Sequence, residues 1–303
     1  MYKQAFSRAV YSVMIGMVML LSPPVLAEES SLPTEPQDKS PATESVQAGV
    51  DQKSADRTAE KRKQIISEAK TALAQTRAAL KALDEKNVDA ALASLEKATG
   101  KLELILAREP DLALAPVDVN VITYDLLARP ETVKAMLHDA EDYLEDGQIQ
   151  QARPLIANMA SEIVYQTTSI PLITYPTAIK AVTRMIDQNK LDEARASLQA
   201  ALNTLIETRD VIPLPVLRAE LMLERAESLA ENEERTTRDN ETLDDLLKEA
   251  RTQLNLAELL GYGDSEAFEP MFEQLDHIEE KTADGKGGKG WFDKIKQQIS
   301  QIF

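Results

Sequence analysis

The chain has 303 residues, with 34 Lys plus Arg against 51 Asp plus Glu, two His, no Cys and only 4% aromatic residues beside 43% hydrophobic ones. A formal net charge of −17 repels phosphate backbones over the whole surface and no local basic stripe interrupts it, which argues against nucleic acid as a partner. Without a thiol there is neither disulfide bracing nor thiol redox chemistry, so packing alone must hold the fold.

Lys3 and Arg8 precede an apolar run from Ala9 to Leu21, and Pro23, Pro24 and Val25-Leu26-Ala27 lead to Glu28. The pattern predicts a signal peptide over residues 1–27, cleaved after Ala27. The run is shorter than the roughly 20 apolar residues that a membrane-spanning helix needs. Export to the periplasm is the expected localisation. That compartment lacks ATP, consistent with the absence of any G-x-x-x-x-G-K-[ST] run. Residues 28–58 are rich in Ser, Thr, Pro, Glu, Gln and Lys and predict a disordered leader.

From 59 to 262 the composition and the three- and four-residue spacing of apolar side chains predict helices. One motif recurs. Val88, Ala91, Leu95 and Leu102 stand at relative positions 0, +3, +7 and +14, as do Ile149, Ala152, Ile156 and Ile163, and again Leu191, Ala194, Leu198 and Leu205. Asp84, Glu145 and Asp187 lie four residues upstream of the three copies. Such spacing keeps the side chains on one helical face, with the small Ala permitting close approach of a neighbouring helix. Each copy is followed by a proline-marked segment, at 110–116, 169–176 and 211–215, which must be an irregular connector or a short strand-like piece. Further helices are expected near 131–145, 176–187 and 215–231, and a long one over 240–260 stopped by Gly261. The predicted fold class is all-α: a multi-helix bundle of irregular helical-hairpin repeats with proline-marked extended connectors. An Ala/Leu-rich bundle also meets so loose a template by chance.

The C-terminal extension, 263–303, contains a Gly/Lys run at 285–290 read as a flexible linker, then an amphipathic helix. At about 100° per residue, Trp291, Phe292, Ile295, Ile299, Ile302 and Phe303 share one arc. These are the candidate partner- or membrane-binding residues. So short a helix is marginal alone in water and takes its order from what it binds: its own domain or a neighbouring protomer, a membrane surface, or another protein. Deletion of 286–303 is expected to leave the fold intact.

Catalytic and metal constellations are sparse. His138, Glu141 and Asp142 stand at i, i+3 and i+4 on a predicted helix, a spacing that one metal could bridge, but acid-rich helices produce it freely and a solvated face is the simpler reading; His277 beside Asp276 is no stronger. Two His, no Cys and no G-x-S-x-G leave nucleophilic triads without members, so neither enzyme activity nor a cofactor or metal is expected.

The stretch 91–104 (Ala91-Leu92-Ala93-Ser94-Leu95 to Leu104) followed by Pro116-Val117-Asp118-Val119 resembles the YfdX family of bacterial proteins. So do Ser161-Glu162-Ile163-Val164, Ile170-Pro171-Leu172, Tyr175-Pro176, Val211-Ile212-Pro213-Leu214-Pro215 through Arg218-Ala219-Glu220, and Leu260-Gly261-Tyr262-Gly263. The resemblance spans roughly 60–263. It implies a mainly helical periplasmic protein, often oligomeric, associated with acid and other envelope stress, with ATP-independent chaperone-like behaviour, and it carries over no catalytic or ligand-binding residue.

Two functional classes remain: a stress-response chaperone that binds unfolded or stressed envelope proteins, possessing an acid trigger and forming a homo-oligomer; or a structural adaptor for one specific envelope partner. Peripheral membrane contact through the C-terminal helix is compatible with either.

Overall fold

Helix-forming stretches rich in Ala, Leu, Glu and Lys alternate with β-branched ones, and this alternation sets the element order. The computed structural model describes residues 39–302; the expected signal peptide, the expected leader as far as residue 38 and Phe303 lie outside the described residues. Helix α1 (Pro41–Lys63) comes first. Three times a helix pair is then followed by a strand: α2 (Ser67–Asp84), α3 (Val88–Arg108) and β1 (Leu114–Tyr124); α4 (Pro130–Glu145), α5 (Ile149–Ala157) and β2 (Glu162–Pro171); α6 (Tyr175–Asp187), α7 (Leu191–Leu202) and β3 (Ile206–Pro213). Helices α8 (Leu214–Ala230), α9 (Thr237–Leu259), α10 (Ser265–Thr282) and α11 (Asp293–Ile299) complete the chain.

The fold is therefore mostly but not purely helical, which corrects the all-α expectation. The proline-marked connectors feed or form three strands of one antiparallel sheet, in the order β1-β2-β3. In β1, Val117 and Val119 are buried while Asp118 and Asn120 point to solvent, the period-two alternation of a half-buried strand. The prolines sit where a missing N–H is tolerated: Pro116 beside a register shift on an edge strand, Pro171 and Pro213 as the last residues of β2 and β3. Because Ile163 lies on β2 and Leu205 just ahead of β3, the +14 position is helical only in the first copy, at Leu102.

The three helix-pair turns share one geometry. Lys86, Gly147 and Asn189, each two residues before the second helix, have positive φ of 56°, 72° and 57°. The next amide reaches five residues back: Asn87 N–H to the Ala82 carbonyl at 2.8 Å, Gln148 to Tyr143 at 2.7 Å, Lys190 to Met185 at 2.9 Å. This is the Schellman closure, which satisfies carbonyls that the helix end leaves open.

Residues 41–58, expected to be disordered, form most of α1. Its composition is polar, yet Thr43, Val46 and Val50 stand on one face and are 3–5% exposed. Ser40 caps the helix, accepting from Thr43 N–H at 3.1 Å, and Pro41 opens it. Gly49 lets Leu221 approach to 3.2 Å of where a Cβ would stand, and Lys53 pairs with Glu220 at 3.0 Å. Burial against the rest of the chain orders this segment, an effect that composition alone does not register.

Two large apolar cores result. Helices α2, α3, α6 and α7 enclose one, centred on Leu95, Leu102, Ile179 and Leu198. Helices α8 to α11 enclose the other, with Met222, Leu254, Phe268 and Phe292 at its centre. A small cluster under the sheet (Val50, Ile163, Tyr165, Leu214, Leu217) connects strand and helix layers. The segment beyond 263 thus belongs to the folded body, since Phe268, Met271, Leu275 and Ile278 of α10 are at most 2% exposed. Among the described residues no helix is long and apolar enough to cross a membrane.

Only glycine adopts positive φ without strain. Lys86→Gly should therefore raise stability by roughly 0.5–1 kcal/mol in urea denaturation, whereas Lys97→Gly, inside α3, should lower it by a similar amount.

Candidate functional site

Helix α4 places Val133, Met136, Leu137, Ala140, Tyr143 and Leu144 on a single stripe, and α5 places Ile149, Ala152 and Ile156 on another. The inner members are covered: Val133 is 0% exposed, Ala152 0% and Ala140 3%. The outer members are not. Leu137 is 37% exposed, Leu144 47%, Ile149 62% and Ile156 49%. Val133, Ala140, Ala152 and Leu155 join none of the three apolar clusters, and beyond its own pairing the hairpin leans chiefly on α9 through α4. Around this face the segment 130–157 carries six acids against two cations, Lys134 and Arg153.

The same motif positions in the other two helix pairs are closed. Leu95 is 1% exposed and Leu198 0%, because α2–α3 and α6–α7 pack on one another in a single core. The middle pair presents an equivalent apolar pattern with no second pair to meet it.

Polar contacts hold the hairpin at both ends. Ahead of α4, Arg218 Nη2 donates to Asp125 Oδ2 at 2.7 Å, and Lys39 Nζ lies 3.3 Å from the same oxygen. Burial pushes the Asp125 carboxyl up; the Arg218 guanidinium and the Lys39 ammonium more than offset this and hold it below its ordinary range. Beyond α5, the Tyr262 hydroxyl accepts from Ser161 N–H at 2.9 Å and donates to Glu162 Oε2 at 2.9 Å. Burial, with the Glu162 carboxylate adding to it, pushes this phenol far above its ordinary value. Two stretches quoted above for the family resemblance, 161–164 and 260–263, thus meet across 100 residues of chain and serve to position β2.

The C-terminal candidates face inward. Phe292, Ile295 and Ile299 are 0% exposed, and Trp291 and Ile302 pack at the border of the same core. Lys296 Nζ donates to Glu227 Oε2 of α8 at 2.6 Å, a hydrogen bond that raises the lysine pKa, and Lys281 stands 5.8 Å over the Trp291 ring. The helix packs on its own domain. Phe303 lies outside the described residues. The approach to the helix is shaped by Gly287, where a Cβ would fall 2.6 Å from the Ala230 carbonyl oxygen.

His138 Nδ1 lies 3.6 Å from Asp142 Oδ1, with both side chains largely exposed. Among the described residues no group of three His, Asp or Glu side chains converges in a way that could hold a metal ion. His277 is exposed on α10, and Asp276 pairs with Arg251 at 2.6 Å. The α4–α5 face escaped notice in the sequence because its residues fit the amphipathic pattern as well as their buried counterparts do. What distinguishes them is the lack of a facing pair, which residue spacing does not record.

The fold and this face together define a predominantly helical protein around a small antiparallel sheet, with an open apolar hairpin. The family model described as YfdX protein matches residues 72–211, from within α2 to within β3. A solved structure of YfdX from Salmonella Typhi is 11% identical over 50% of this chain and 93% of that chain, with a TM-score of 0.35. No curated protein matches. The stretches around Arg218 and Tyr262 lie beyond the matched residues.

Because the C-terminal helix is built into the second core, Phe292→Ala should lower stability by about 3 kcal/mol. Removal of 286–303 should lower the melting temperature instead of leaving the fold untouched, as followed by circular dichroism.

Proposed function

We propose that this chain is a periplasmic stress-response protein that binds unfolded or stressed envelope proteins without nucleotide, using the apolar face of α4 and α5. The observation that carries the reading is the exposure of Leu137, Leu144, Ile149 and Ile156 on one hairpin. Contiguous exposed apolar surface rimmed by charge is a feature of interaction sites. An unfolded client supplies apolar side chains to it, while the acidic rim and the overall charge of −17 keep the complex dispersed. Recognition by apolar area and not by a shaped polar pocket suits clients of unrelated sequence. The reading assigns no bond-making residue.

A homo-oligomer is part of the proposal. The motif-related pairs α2–α3 and α6–α7 cover one another within one chain, so the α4–α5 hairpins of two copies are suited to cover each other at rest. Acid supplies the trigger. Protonation of the carboxylates and both His takes the mature chain from about −19 to about +34, and self-repulsion of that size loosens contacts between copies. The helix-pair-and-strand order is read as three descendants of one unit, of which the middle one took on binding.

The test is light scattering of two unrelated aggregating clients, at neutral pH and near pH 4. The wild-type chain should suppress aggregation of both without nucleotide. The double variant Ile149→Gln/Ile156→Gln should retain less than about one fifth of that effect, with stability changed by under about 1 kcal/mol because both sites are exposed. Absence of suppression by the wild type, or undiminished suppression by the variant, contradicts the reading. Retention of a single stoichiometric partner, with other clients ignored, would favour an adaptor.

A further inference from the structure

At the loop 125–129, where the N-terminal ends of α1 and α4 meet α8 and α9, lies a recess of about 70 Å³ with polar and apolar lining in equal part. A single water needs about 10–15 Å³ of such space, so the recess takes one small ion or a few waters and is too small for a peptide or a nucleotide. Lys39, Thr43, Arg129, Arg218, Glu249 and Gln253 line it.

Two of these side chains carry buried polar atoms with no partner among the described residues. Arg218 is 2% exposed; its Nη2 is bonded to Asp125, but its Nε–H meets no acceptor. Gln253 is 7% exposed. Its Nε2 donates to Glu249 Oε1 at 3.0 Å, and its Oε1 is buried without a donor. That orientation is fixed, because a reversed amide would set oxygen against the Glu249 carboxylate. Thr43 Oγ1, at 3.3 Å, donates to the same Glu249 oxygen. Both residues line the recess, and each brings to it one polar atom that is buried and unpartnered among the described residues.

The local charge is opposite to that of the whole protein. Three cations, Lys39, Arg129 and Arg218, stand against Asp125 and Glu249, and Arg129, at the N-cap position of α4, forms no ion pair among the described residues. The N-terminal ends of α1 and α4 add partial positive charge. Buried polar atoms in native proteins are nearly always satisfied. A ligand that satisfies both must offer an acceptor to Arg218 and a proton to Gln253.

We propose that the recess binds a small oxyanion that keeps a proton at neutral pH, hydrogen phosphate. Its charged oxygens accept from Arg218 Nε and face Arg129 and Lys39, and its hydroxyl donates to Gln253 Oε1. Sulfate has the same shape and no proton at neutral pH, so its oxygen would oppose the Gln253 oxygen. Selectivity for phosphate over sulfate is the signature of the site, and it is independent of client binding at α4–α5.

Isothermal titration of the mature chain with inorganic phosphate, glycerol phosphate and sulfate at matched ionic strength and pH 7 tests this. Saturable one-to-one binding of phosphate is expected, at least tenfold tighter than sulfate, with glycerol phosphate, whose phosphoryl group is largely without a proton at this pH, binding more weakly than phosphate. Gln253→Leu should abolish the preference over sulfate. Arg129→Ala, at an exposed rim position where folding is not at stake, should weaken phosphate binding at least threefold. No saturable binding of phosphate, equal binding of sulfate, or wild-type behaviour of both variants overturns the proposal.

Discussion

An amphipathic helix pair must bury its apolar stripe, and how each pair in this chain meets that requirement organises the molecule. The first and third pairs solve it by facing one another, so that Leu95 and Leu198 enter the same core. α1 and α8 to α11 solve it by building a second core, into which even the terminal helix is drawn. Only the middle pair is left with Ile149 and Ile156 in solvent. At roughly 25 cal/mol per Å² of apolar surface, leaving such side chains uncovered opposes stability, and the polar anchors at Asp125–Arg218 and Tyr262–Glu162 keep the hairpin in place despite it.

The sheet explains how the chain can leave one pair open and remain one folded body. Strand β2 follows the middle pair and lies between β1 and β3, which follow the other two. Its residues Ile163 and Tyr165 are 2% and 0% exposed, so the open hairpin connects directly to a buried central strand. Strand β3 has an outer edge and is exposed along most of its length, but Glu207, Arg209 and Asp210 place charge there, which discourages edge-to-edge pairing with other chains.

Much of the helical architecture was legible from residues. Helices expected near 131–145, 176–187 and 215–231 fall within one residue of α4, α6 and α8. The upstream acids Asp84, Glu145 and Asp187 mark the last residues of α2, α4 and α6, immediately ahead of the shared turns. The sheet was obscured because proline dominates the reading of segments such as 110–116, although the alternation at Val117, Val119 and Val121 carries the strand signal. Helix α1 and the terminal helix depend on tertiary burial: Val46 and Val50 are too few to announce a helix, and the arc from Trp291 to Ile302 shows an adhesive face without showing what it adheres to. The phosphate recess joins residues from Lys39 to Gln253, and no spacing within one segment reveals it.

The central claim is that one hairpin face is open in the free protein and becomes covered by clients. The natural chain has no cysteine, so single Cys substitutions at Ile156, Leu95 and Leu198 report on the three motif-equivalent positions by the rate of maleimide labelling. At dilutions where the chain is monomeric, Ile156→Cys should label rapidly and be protected when an unfolded client is added, while Leu95→Cys and Leu198→Cys should label only on unfolding. Slow labelling at 156 in the free monomer, or labelling there that a bound client leaves unchanged, would contradict the account.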